Sequence, residues 1–137
     1  MDSDVQPLTA RRLFYAGSIS AALAVVVNLA VYFISRNLFG IDYVIPPPPG
    51  SNDAFTVSAT NVVLDTVIMA LGATLVYALF SKFSSHPVRL FLILSVVVLG
   101  LSFIFPLLLP VGLPMKFSLS LMHLAAAAII VARLLRA

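Results

Sequence analysis

Four long apolar runs, at about residues 13–35, 58–80, 88–106 and 116–135, are separated by short polar or proline-rich breaks. At about 1.5 Å of rise per helical residue, each can cross a hydrocarbon core of about 30 Å. The pattern predicts an all-α fold: one integral membrane domain over 1–137, a four-helix transmembrane bundle. Polar and small residues inside the runs recur at helical spacing. On the first run Gly17, Ala21, Ala24, Asn28 and Ser35 form one small-residue face carrying a single amide. On the second, Ser58, Asn61, Asp65, Gly72 and Val76 share a face; on the fourth, Lys116, Ser120, His123 and Ala127 do. Ser95 and Ser102 lie seven apart on the third. The two hairpins do not match residue for residue, so no internal repeat is read.

The breaks have distinct chemistry. Residues 1–10 are a polar lead, followed by Arg11 and Arg12, which resembles the front of a signal peptide. The run from Leu13 to Ser35 exceeds a signal core of about 7–15 residues and lacks a small-residue cleavage site, which predicts a retained first span. The break at about 36–57 carries Pro46 to Pro49, whose fixed φ favours a stiff polyproline segment, with a turn over Gly50 to Asp53. It reads either as a rigid spacer or as a lid or docking surface using Tyr43 and Phe55. Ser81 to His86 is short enough to make spans two and three antiparallel neighbours, and Pro87 suits the first turn of the third span. Pro106, Pro110 and Pro114 are expected to end that span and shape a tight connection.

Composition agrees with this and narrows the chemistry. Hydrophobic residues make up 61% of the chain and charged ones 9%, which excludes an ordinary soluble domain. The net charge of +3 does not point to nucleic acid, because the basic residues are scattered at span ends. Arg11, Arg12, Lys82, Arg89, Arg133 and Arg136 would lie on one side and only Arg36 and Lys116 on the other, which predicts both termini in the cytoplasm and the proline-rich loop outside. With no cysteine, thiolate chemistry and disulfides are excluded. There is no glutamate or tryptophan, so any carboxylate chemistry rests on five aspartates, of which only Asp65 lies inside a span. One Asp and one His fall short of a metal's usual three or four ligands, and no phosphate loop or nucleophile elbow is present. No metal or cofactor is expected.

An ionisable group inside a bilayer is by default a functional-site hypothesis. Counted from the inner span ends, Asn28 and Asp65 lie about 22 Å up, Ser102 about 21 Å and His123 about 18 Å. One polar residue from each span thus falls in one layer. If the faces converge, Asp65 and His123 form an acid–imidazole pair, with Asn28, Asn61, Ser102 and Ser120 supplying hydrogen bonds. Read structurally, the same serines and amides are interhelical hydrogen-bond glue. Arg36 and Lys116 lie at the outer mouth as anion attractors, partners of Asp42 and Asp53, or interfacial anchors.

His86-Pro87-Val88-Arg89-Leu90-Phe91, Ser102 with Pro106, and Leu121-Met122-His123-Leu124 followed by alanines resemble a family of small, uncharacterised four-span bacterial membrane proteins. The resemblance implies a multi-pass protein of the bacterial cytoplasmic (inner) membrane and a recurrent family position at His123. It implies no activity. The sequence itself leads to a non-enzymatic accessory or assembly subunit, with the bilayer, other membrane subunits or further copies of itself as partners. Two alternatives stay open. One is a transporter or sensor that binds a lipophilic molecule or proton at Asp65 and His123; the other is an intramembrane acid–base enzyme acting on a lipid or isoprenoid.

Overall fold

A computed structural model describes residues 9–137; most of the polar lead lies outside them. The elements are α1 (Ala10–Phe39), β1 (Val44–Ile45), β2 (Phe55–Thr56), α2 (Ala59–Phe83), α3 (Pro87–Leu108) and α4 (Leu113–Leu134). All four helices are long and apolar enough to cross a membrane, so the protein is a four-helix transmembrane bundle. The helices run up, down, up, down. One end of the bundle therefore carries the start of α1 and the end of α4, and the other carries the β-hairpin.

Local chemistry sets the boundaries. Thr9 caps α1 by accepting from the Arg12 N–H, and the helix stops where Gly40 takes a left-handed φ of 62°, so that the Gly40 and Ile41 N–H groups both reach the Ser35 carbonyl. At 30 residues, α1 spans about 45 Å and outruns the predicted 13–35 at both ends. Ser58 and Asn61 form a reciprocal capping box that starts α2. Pro87 opens α3 as expected. Pro106, expected to end it, instead sits within its last turn, and the helix runs on to Leu108. So close to the end, a missing donor and a lost hydrogen bond are tolerable.

The loop is more structured than a spacer. Val44 pairs with Thr56 and Ile45 with Phe55 in an antiparallel hairpin. Its tip is a turn from Pro48 to Ser51, closed by the Ser51 N–H on the Pro48 carbonyl at 3.0 Å, with Gly50 at φ 91°. Proline second and a positive-φ glycine third is type II turn chemistry. The turn thus comes two residues earlier than expected and cuts the polyproline segment short.

Helix α1 is the hub. It packs along α2 on one side and α4 on the other, while α3 touches only α2 and α4. Its buried stripe is Leu13, Gly17, Ser20, Ala24, Asn28, Tyr32 and Ser35, mostly small residues at spacings of three and four. Ser20 replaces the expected Ala21 on that face, its hydroxyl folded back onto the Gly17 carbonyl at 2.8 Å. Small residues matter here because lipid tails are as apolar as leucine, so helices associate through close packing and hydrogen bonds. Gly17 shows how close. A Cβ there would lie 2.5 Å from Thr74 Oγ1 and 2.9 Å from Thr74 Cγ2 on α2.

Gly17→Val is therefore expected to push α1 off α2 and cost about 1–3 kcal/mol. Gly72→Ala, whose new Cβ meets nothing within 4 Å, is expected to hold or raise stability. Thermal unfolding in detergent compares the two.

Candidate functional site

The polar side chains fall into two groups, on opposite sides of α2. The first joins α1 to its neighbours near the hairpin end. Asn28 Nδ2 donates to Thr66 Oγ1 at 3.0 Å, and the Thr66 hydroxyl donates to the Val62 carbonyl at 2.7 Å. Asn28 Oδ1 is buried with no hydrogen-bond partner. One turn on, the Tyr32 hydroxyl donates to the Val57 carbonyl at 3.0 Å and accepts from Arg36 Nη1 at 3.2 Å. The Tyr32 ring stacks on Tyr43 from the loop, centroids 4.8 Å apart. The Tyr43 hydroxyl hydrogen-bonds Ser118 Oγ, and Ser118 donates to Ser35 Oγ at 3.0 Å. These groups fasten the hairpin onto α1 and α4.

Tyr43, read from sequence as part of a docking surface, is thus buried, whereas Phe55 is exposed. Arg36 is turned to Tyr32, and Lys116 Nζ donates to the Leu107 carbonyl of α3 at 2.8 Å. Among the described residues neither forms an ion pair with Asp42 or Asp53.

The second group flanks a cavity of about 260 Å³ between α2, α3 and α4, open to the side and walled by Met69, Gly72 and Val76 of α2, Val98 and Ser102 of α3, and Ala127 of α4. Asp65 lies one turn beyond Met69 on the same α2 stripe, and His123 one turn beyond Ala127 on α4. Contacts fix their heights. The Tyr77 and Phe91 rings meet at 4.8 Å; from that pair Asp65 is about 18 Å along α2 and Ser102 about 16.5 Å along α3. From the Ser35–Ser118 bond, Asn28 is about 10.5 Å down α1 and His123 about 7.5 Å down α4. Asp65, Ser102 and His123 thus lie at nearly one level, toward the hairpin end of the cavity.

The structure does not join these residues into the hydrogen-bonded cluster expected from sequence. Asp65 is exposed, one turn beyond the lining residue Met69. His123 is half-buried, and its Nδ1 bonds the Leu119 carbonyl at 2.8 Å. A carbonyl only accepts, so Nδ1 carries the proton and a neutral ring keeps Nε2 as an acceptor. Ser102 donates to the Leu99 carbonyl at 2.7 Å. Asn61 is occupied by the capping box, and Ser120 is half-buried on the His123 side of α4. Among the described residues Asp65 and His123 form no hydrogen bond or ion pair with each other.

Sequence reasoning missed Thr66, Tyr32 and Ser118. A usable signal existed for the first: Thr66, Ala70 and Thr74 recur every four residues, a small-residue stripe matching that of α1. The buried α4 stripe, through Ser118, Met122 and Ala126, likewise lies one position away from the polar one.

Thr66→Val is expected to cost about 1–2 kcal/mol by leaving the whole Asn28 amide unsatisfied, whereas adding Asn28→Leu should recover most of that loss. A double-mutant cycle read by detergent unfolding measures the coupling.

No group of three or more potential metal ligands occurs among the described residues. No curated protein and no solved structure matches the chain. Residues 8–137, which include all the motifs that carried the resemblance, match the model of a family of unknown function, DUF6069, and the chain belongs to that family.

Proposed function

We propose that this small multi-pass membrane protein binds a lipophilic molecule between α2, α3 and α4, its apolar part in the cavity and its polar end between Asp65, Ser102 and His123. The supporting observation is an apolar cavity, open to the side, whose stripes lead at one level to the spans' only carboxylate and only imidazole. The volume of about 260 Å³ is below the roughly 300–1,000 Å³ of drug-sized sites. It suits one segment of an acyl or isoprenoid chain, the rest lying in the bilayer. The exposed Asp65 carboxyl and the acceptor Nε2 of His123 would then meet hydroxyl or amine groups of the head. A transporter or sensor would use such a site. Direct acid–base catalysis by the pair is less well supported, because no contact joins Asp65 to His123.

An accessory or assembly role is the second reading. It is favoured by α3, which buries only Phe91 and Pro106 and makes no contact with α1. Most of that helix is left for lipid or another subunit. Both readings place the termini in the cytoplasm, on the strength of the charge asymmetry, and a bacterial inner membrane is the location that the resemblance implies.

Gly72→Leu projects a side chain into the cavity from a position where a Cβ meets nothing. It is expected to abolish retention of a lipophile, detected by mass spectrometry of protein purified in nanodiscs, with helicity and melting temperature unchanged. Asp65→Asn should weaken retention about ten-fold or more, the worth of one hydrogen bond to a charged group, and His123→Ala by about two- to ten-fold, the worth of one to a neutral acceptor. If all three leave the bound molecules unchanged, the binding reading fails; stoichiometric partner chains in the same preparation would then favour the accessory role. A topology reporter fused after Ala137 is expected to score as cytoplasmic, and a signal only from the external side would reverse the orientation.

A further inference from the structure

The three polar side chains at one level toward the hairpin end of the cavity differ in chemistry but share one property. Asp65 bears a carboxyl that forms no hydrogen bond or ion pair among the described residues, and when ionised it only accepts. Ser102 lines the cavity, and its hydroxyl proton is committed to the Leu99 carbonyl, so only lone pairs remain. His123 holds its proton on Nδ1 against the Leu119 carbonyl, which leaves Nε2. All three accept, and none donates.

The level also lacks positive charge. A carboxylate in a bilayer is costly and calls for a cationic partner, and among the described residues no lysine or arginine supplies one here. Lys116 stands about 10 Å along α4 beyond His123, with Nζ on the Leu107 carbonyl. Arg36 is turned to Tyr32 on the far side of α2. Arg133, Arg89 and Lys82 lie about 15, 20 and 25 Å away along α4, α3 and α2, toward the opposite end. The nearest side-chain donors without a bond, the Ser120 hydroxyl and Asn61 Nδ2, are about 4.5 and 6 Å farther toward the hairpin.

Resting on the binding reading proposed above, we infer that the polar end of the ligand is a protonated primary amine, so that the site takes a long-chain lipophilic amine. An ammonium brings the missing positive charge and three N–H donors, matching the three acceptors in number. A hydroxyl brings one donor and no charge. A carboxylate or phosphate meets Asp65 with like charge, and a quinone offers only further acceptors.

The test uses the full chain, delipidated in a neutral detergent, with hexadecylamine, hexadecanol or hexadecanoate added, read by native mass spectrometry and thermal shift. At about pH 8 an alkylamine is protonated and an alkanoate ionised, so the probes share a tail and differ in the charge and donors of the head. Hexadecylamine is expected to bind about ten-fold or more tighter than hexadecanol, and hexadecanoate weakest. Asp65→Asn should bring the amine down to the level of the alcohol while leaving alcohol binding in place, and Gly72→Leu should remove all three. Suppose hexadecanol or hexadecanoate binds as well as the amine, or Asp65→Asn keeps the preference, while Gly72→Leu still removes binding. The ammonium inference is then overturned and the cavity reading stands. If no probe binds, or binding is indifferent to Gly72→Leu, the cavity reading falls and the inference falls with it.

Discussion

Helices dissolved in hydrocarbon gain nothing by hiding leucines from one another, and the rest of this structure follows from how α1 meets that constraint. Its inward stripe is built of side chains that let backbones approach, down to the Gly17–Thr74 contact that leaves no room for a Cβ. Where the stripe becomes polar it forms specific bonds, Asn28 to Thr66 and Ser35 to Ser118. Both neighbours of α1 are thereby fixed in height and rotation. Helix α3 meets no comparable stripe and is held by the Tyr77–Phe91 ring pair, Pro106 and the Lys116–Leu107 bond.

Fixing α2 and α4 against α1 also decides where their polar stripes go. On α2 two stripes stand about 100° apart, one through Val62, Thr66 and Ala70 and one through Asn61, Asp65 and Gly72. Only one can face α1, and the smaller, hydroxyl-bearing stripe packs there and bonds Asn28. Asp65 is carried to the flank. On α4 the stripe through Ser118, Met122 and Ala126 takes the α1 side, which carries His123 toward α3. The residues of the predicted polar layer keep their common level, but Asn28 lies on the opposite side of α2 from the other three.

The number of spans, their order and the level of the polar residues were legible because hydropathy and a fixed rise per residue require no partner. Rotation was not, since adjacent stripes on one helix both satisfy the three-and-four spacing, and choosing between them needs the facing helix. The loop failed for a related reason. Strands of two residues are too short for a period-two pattern, and what orders the segment is distant: Tyr43 stacks on Tyr32 and reaches Ser118, 75 residues away. Pro48-Pro49-Gly50-Ser51 did carry a local turn signal, obscured by reading four prolines as one stiff rod.

The same asymmetry bears on how a lipophile would enter. Two walls of the cavity, α2 and α4, are locked to α1 by close packing and buried hydrogen bonds. The third, α3, buries two side chains and has no tie to α1. The cavity is already open sideways, so entry from the bilayer would call at most for a shift of the least anchored helix and not for disruption of the core. Of the contacts holding α3, Lys116 to the Leu107 carbonyl lies at the hairpin end, about 10 Å along α4 beyond His123, whereas Ser102 of α3 itself stands at the level of Asp65 and His123. On the proposed reading, binding at that level and the position of α3 would be mechanically linked.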